Sequence, residues 1–167
     1  MAEAANPSPM ARASGLLLAG WAVFAAGCGG GPADGDVRTH REPHRSGTGV
    51  RAEFRQEFRG GTWVHDGPAR FWDEEGRLTH AGTYRGGLES GAWQEYAPDG
   101  SLGEGPYEAG QRSGEWTWYH PAREGLARIP AERGTYSDGL REGAWQRWDA
   151  SGSPLPTVTW SAGERVR

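Results

Sequence analysis

The sequence predicts an all-β protein: an elongated array of stacked β-hairpins that forms a single-layer twisted sheet with an aromatic ladder. Three observations carry this. One phrase recurs four times, opening at Gly67, Gly91, Gly114 and Gly143, with spacings of 24, 23 and 29 residues. A fixed period of this size marks a stacked repeat. Within each copy, aromatic and Thr residues that suit strands alternate with glycines that suit turns. No segment carries a sustained 3.6-residue apolar period, and glycine recurs too often for a helix.

With the opening Gly as slot 1, slot 3 holds Ala69, Trp93, Trp116 and Trp145, and slot 6 holds Trp72, Tyr96, Tyr119 and Trp148. A turn glycine follows at Gly76, Gly100, Gly125 and Gly152. The next aromatics are Tyr84, Tyr107, Tyr136 and Trp160, each with a glycine three residues later. These slots take 11 of the 16 aromatics beyond Cys28, which removes chance as an explanation. Glu75-Gly76, Asp99-Gly100, Asp138-Gly139 and Ser151-Gly152 read as turn pairs. The stretches 87–91, 110–114 and 139–143 share one length and read as tight connections between strands. Trp93 and Tyr96 are three residues apart, so simple alternation puts them on opposite faces. Either both faces carry aromatics, or a bulge turns one of them inward. One hairpin is marginal in water, so the copies must stack to be stable.

Composition points the same way. Of 167 residues only 35% are hydrophobic, yet there are 9 Trp and 28 Gly. The core must therefore come from Trp and Tyr, each able to bury about 150–250 Å². All 18 basic residues are Arg, and acids alternate with them, giving a mixed, solvated surface. A net charge of −4 argues against a nucleic-acid partner.

The N-terminus reads as an address. Arg12 supplies a positive start, and Gly15–Ala26 is an apolar run of 12 residues, short for a membrane span. Ala25-Ala26-Gly27-Cys28 then resembles the lipobox of bacterial lipoproteins, with Ala25 where Leu is usual. The reading is a signal peptide over 1–27, with Met10 as a second candidate start, and lipidation at Cys28. Several acyl chains would hold the domain to a membrane, so the chain is expected to be exported and lipid-anchored in the bacterial cell envelope. Gly29, rather than Asp, follows the cysteine and favours the outer over the inner membrane. A lone cysteine leaves no internal disulfide.

Residues 28–50, rich in Gly, Pro, Asp, Arg and His, are expected to be a flexible tether. His40 and His44 flank Pro43 there and are not read as a metal pair. Residues 51–66 read as a degenerate capping repeat, in which Gly61-Thr62-Trp63 imitates slots 1 to 3 and Asp66 takes slot 6. Four repeats fill 67–167. The extra length of the third copy, 120–130, maps to a loop. Val158 replaces a glycine in the last copy, as suits a terminal strand.

The phrases Gly91-Ala-Trp-Gln-Glu-Tyr-Ala-Pro-Asp-Gly-Ser-Leu102 and Gly82-Thr-Tyr-Arg-Gly-Gly87 resemble MORN-type repeats, in the bacterial variant of YwqK-type, antitoxin-labelled proteins. The resemblance covers roughly 61–163. It implies β-hairpin arrays that act as interaction or scaffolding modules, and it brings no catalytic residues. The residues agree: Glu74-Glu75, His65-Asp66 and His80 make no nucleophile or acid–base pattern, and no phosphate loop precedes a helix. The expectation is therefore a binding protein without enzyme activity, metal or cofactor. Its expected interaction surface is Trp93, Tyr96, Trp116, Tyr119, Trp145 and Trp148 with Arg112, Arg141, Arg147 and His120. The expected partner is a protein, with a cell-wall glycan and a toxin of the antitoxin type as alternatives.

Overall fold

Tight turns set the strand order. A computed structural model describes residues 31–166. Every regular element among them is a strand: β1 Val37–Pro43, β2 Val50–Arg59, β3 Thr62–Trp72, β4 Leu78–Arg85, β5 Leu88–Tyr96, β6 Leu102–Glu108, β7 Gln111–Arg112, β8 Gly114–Tyr119, β9 Pro130–Ser137, β10 Leu140–Trp148, β11 Pro154–Ser161 and β12 Glu164–Arg165. They form one open antiparallel sheet in chain order, β7 and β8 both lying beside β6. The predicted all-β hairpin array with an aromatic ladder is what the chain forms.

The two ends of the sheet use different turns. At one end, pairs such as Gly86-Gly87, Ala109-Gly110, Asp138-Gly139 and Ala162-Gly163 take positive φ at both residues, the conformation whose twist matches a two-residue hairpin. The stretches expected as connections are thus mostly strand, and only two residues turn. Each second turn residue also clamps the preceding hairpin: the N–H of Gly87 donates to the His65 carbonyl at 2.8 Å, that of Gly110 to Glu89 at 3.1 Å and that of Gly139 to Arg112 at 3.0 Å. At the other end, Asp73 and Asp149 close their turns by accepting from the backbone N–H groups two and four residues on, and Asp99 accepts from that of Ser101. Ala109 sits at φ 48° with a Cβ, which costs about 1–2 kcal/mol in this region. Ala109→Gly is expected to raise stability by about 0.5–1 kcal/mol, read as a higher urea midpoint at unchanged slope.

The repeated glycines have two separate jobs. Gly91, Gly114 and Gly143 open three-residue bulges, at φ of 71°, 68° and 70°. Each bulge (91–93, 114–116, 143–145) faces one residue of the preceding strand: Gly82, Gly105 or Gly134. The third bulge residue is the Trp, and its indole lies flat on that glycine. A Cβ on Gly82 would stand 2.1 Å from the Trp93 ring, and on Gly105 or Gly134 2.4 Å from Trp116 or Trp145. Trp93 and Trp116 then donate from Nε1 to the Thr83 and Pro106 carbonyls at 3.2 and 2.9 Å. Val158 stands where the next such glycine would be, and no later Trp needs that space.

One ring per strand makes a continuous row: His40, Phe54, His65, Tyr84, Trp93, Tyr107, Trp116, Tyr136 and Trp145, with neighbouring centroids 4.1–5.8 Å apart. Mostly edge-to-face, these pairs suit the ring quadrupoles. This row corrects two expectations. The segment 28–50 is not all tether: β1 pairs with β2 across Val37–Pro43, because His40 extends the ring row while Arg38 caps Trp63 and Arg41 pairs with Glu53. Composition alone misses strands whose side chains are matched by a neighbour. Nor does Ala69 in slot 3 break the row: His65 fills the β3 position between Phe54 and Tyr84, and Ala69 is itself buried in the core. The signal peptide and Cys28 lie outside the described residues.

Candidate functional site

The sheet has two unlike faces, and the ten sequence-predicted residues divide between them. Strand β5 pairs with β6 without a break over residues 91–96, so Trp93 and Tyr96 point to opposite sides. Both faces therefore carry aromatics.

On the ladder face the expected surface is corrected. Trp93, Trp116 and Trp145 are 2%, 0% and 0% exposed; they are core, and no ligand can lie on them. Arg112 is equally committed. Its Nε and Nη2 donate to Glu95 at 3.0 and 2.5 Å, Tyr107 donates to the same carboxylate at 2.6 Å, and the guanidinium lies 5.3–5.5 Å from the rings of Trp116, Trp118 and Tyr136. Burial pulls the Arg112 pKa down, but the Glu95 bonds and charge outweigh it and hold it above the ordinary value. Arg141 covers Trp145 and Trp160 at 4.3 and 5.0 Å and shares Glu132 with Arg147. A thin sheet lacks a second layer to cover its rings, and stacked guanidiniums supply one.

Two half-buried histidines give this face a pH dependence. Burial lowers the pKa of His65 below 6.5, with Glu42 opposing and His40 adding to the shift; burial also lowers that of His80, with Glu95 opposing and Arg112 adding. A lowered histidine is neutral in the fold, so the unfolded chain takes the proton first. Stability therefore falls as pH drops from 6.5 toward the folded values. Glu89 has the opposite slope: burial raises its pKa, and stability is lost as pH rises from the ordinary carboxyl value through the folded one. In a Glu89→Gln background the thermal midpoint is expected to be lower at mildly acidic than at neutral pH. His65→Tyr, which restores the ring used elsewhere in the row, is expected to reduce that slope. A flat profile would contradict the reading.

The other face is open. It carries Tyr96 on β5, Tyr119 on β8 and Trp148 on β10, all half-buried, and with them Trp72 on β3. Trp72 belongs to slot 6 and was legible there, but the sequence reading did not place it in the surface. Between these rings, on alternate strands, lie Leu78, the buried Leu102 and Pro130. His120 opens the inserted loop, its Nε2 donating to the Trp148 carbonyl at 3.0 Å, and Arg128 from the same loop stands 6.0 Å over Tyr96. A groove of about 560 Å³ at the Asp-turn end of the sheet is lined from both faces, by Tyr119, His120 and Trp148 and by Trp118, Glu132, Arg141 and Arg147 of the ladder side, with Asp99 and Asp149 at its turns.

Two residues along each strand lies a second row that sequence reasoning missed, since nothing within one repeat announces a cross-strand register. It runs Gln94, Glu104, Thr117, Arg133, Gln146 as directly opposed residues on successive strands. Gln94 donates to Glu104 at 2.7 Å and Arg133 to Thr117 at 3.2 Å. The row is polar yet internally matched in charge. No group of three or more His, Cys, Asp or Glu residues that could hold a metal occurs among the described residues, and no helix among them is long and apolar enough to cross a membrane. The chain matches no protein-family model, and no curated protein matches it.

Proposed function

We propose that this chain is a non-catalytic binding and scaffolding module of the MORN-like kind, held to the bacterial cell envelope through Cys28, with the open face of its sheet as the working surface. The observation that carries the reading is the asymmetry of the two faces. One is packed shut, with its indoles buried and its arginines and acids consumed by each other. The other keeps Trp72, Tyr96, Tyr119 and Trp148 half-exposed in a line. Half-exposed aromatics in series cost solubility and are where binding energy concentrates. The buried acids have structural work: Glu95 holds Arg112 and Tyr107, and Glu89 accepts from Tyr84.

The envelope address rests on the positive start, the 12-residue apolar run and the lone Cys28, the outer membrane being the proposed destination. It is tested by acyl labelling of the full chain: label is expected on the native protein and lost in Cys28→Ala, and equal labelling of both would refute it. The working surface is tested by envelope pull-down with the full chain and with Tyr119→Ala and Trp148→Ala. Binding partners are expected to be lost with either variant while the fold is retained. An unchanged set of partners would refute the assignment of this face.

A further inference from the structure

The spacing of the open-face aromatics narrows what they hold. Tyr96, Tyr119 and Trp148 stand on β5, β8 and β10, with β6 and β9 between them, and Trp72 stands two strands before Tyr96 on β3. Neighbouring strands lie about 4.7–4.9 Å apart, so a platform recurs about every 10 Å across the sheet. A β-1,4-linked sugar chain turns over at each residue and presents the same ring face at every second sugar, and that repeat is the same length. An extended peptide along a strand repeats at about 6.6–6.8 Å and falls out of step. Four platforms over three such intervals span about 30 Å and take a single chain of about seven sugars, of which a hexamer covers three platforms. Strand twist rotates each platform relative to the last, which suits one flexible chain rather than a flat crystalline surface.

Charge agrees. The row beside the aromatics pairs Gln94 with Glu104 and Thr117 with Arg133, so it offers amide, hydroxyl and guanidinium groups at low net charge. Asp99 and Asp149 on the rim repel a polyanion such as a nucleic acid. An uncharged polymer with acceptors on every ring fits both rows: its apolar ring faces on the aromatics, its acetamido carbonyls on Gln94 and Arg133.

Resting on the reading of this face as the working surface, we propose that it binds a linear β-1,4-linked glycan of N-acetylated sugars, running across the strands over Trp72, Tyr96, Tyr119 and Trp148. Arg128, stacked on Tyr96, closes that subsite from the loop side.

The test is calorimetric titration of the full chain with chitohexaose, using maltohexaose, an α-linked chain of the same length, as the geometric control. Chitohexaose is expected to bind with a Kd below about 1 mM, and maltohexaose at least about tenfold more weakly. Tyr119→Ala and Trp148→Ala are each expected to lose about tenfold or more, with unchanged thermal midpoints, while Trp148→Tyr keeps most of the affinity. Should Trp148→Ala misfold, Tyr96→Ala and Tyr119→Ala carry the test. Absent chitohexaose binding, equal affinity for both sugars, or affinity indifferent to all the variants would overturn the proposal. If chitohexaose fails while an aromatic-binding proline-rich peptide binds in a Tyr119- and Trp148-dependent way, the glycan is wrong and the working surface stands. If neither binds and the pull-down is also indifferent to both variants, the working surface falls too.

Discussion

Gly105→Ala is expected to lower the unfolding free energy by about 2–3 kcal/mol, although alanine in place of glycine within a strand ordinarily adds about 0.5–1 kcal/mol. The sign reverses because the new methyl would stand 2.4 Å from the Trp116 ring, well inside van der Waals contact. The indole cannot retreat: it is fully buried between Tyr107 and Tyr136 and tied through Nε1 to the Pro106 carbonyl. Gly82→Ala and Gly134→Ala meet Trp93 and Trp145 in the same way and are expected to behave alike. Urea unfolding followed by tryptophan fluorescence checks this, with a lower midpoint and a red-shifted native emission. A midpoint at or above that of the parent would mean the indoles yield, and the flat Trp-on-Gly stack would not be the contact that locks each hairpin to the last.

The second large effect belongs to Arg112. Arg112→Met is expected to cost about 3–5 kcal/mol, because removing one partner leaves the other charge buried and uncompensated. Here that is Glu95, 7% exposed, with Tyr107 still donating to its carboxylate. The loss comes with a second one, since the guanidinium is also the cover over Trp116, Trp118 and Tyr136. Replacing both partners, as Arg112→Met with Glu95→Gln, is expected to recover more than half of the single-variant loss, because no bare charge is then buried. A double-mutant cycle measures it. If the double variant is as unstable as the sum of the singles, the guanidinium acts as a cover alone and the ion pair contributes nothing.

The repeat was legible because the Trp-on-Gly stack imposes two residue types at fixed spacing, and both are rare enough to stand out. Slot 3 and the Gly-x-Tyr motif are the two halves of one contact. Which half was core was not legible at Trp93, Trp116 and Trp145, because periodicity shows that residues are equivalent and does not show which way they face. Strand alternation settles it only once the register over 91–96 is known. Arg112 failed as a surface residue for a related reason: its partners Glu95, Trp118 and Tyr136 lie on other strands, up to a full repeat away. The strand at 37–43 escaped because its pairing is made of charges and histidines, which carry no hydrophobic signal. His65 carries no catalytic pattern with Asp66, and no spacing rule marks it as an aromatic substitute, yet its ring takes the place of a Tyr or Trp.

The clamp from each turn glycine to the preceding hairpin makes every unit answer only to its neighbours, so the molecule behaves as a one-dimensional lattice with two free ends. Opening should begin at an end and travel inward, with amide exchange fastest in the outermost hairpins and slowest around Trp116. The two ends are not equal. Toward the N-terminal end the ring row passes through His65, which a proton can loosen, and at the C-terminal end it closes on an indole under Arg141, which a proton cannot loosen. Acid should therefore unzip this chain from one direction.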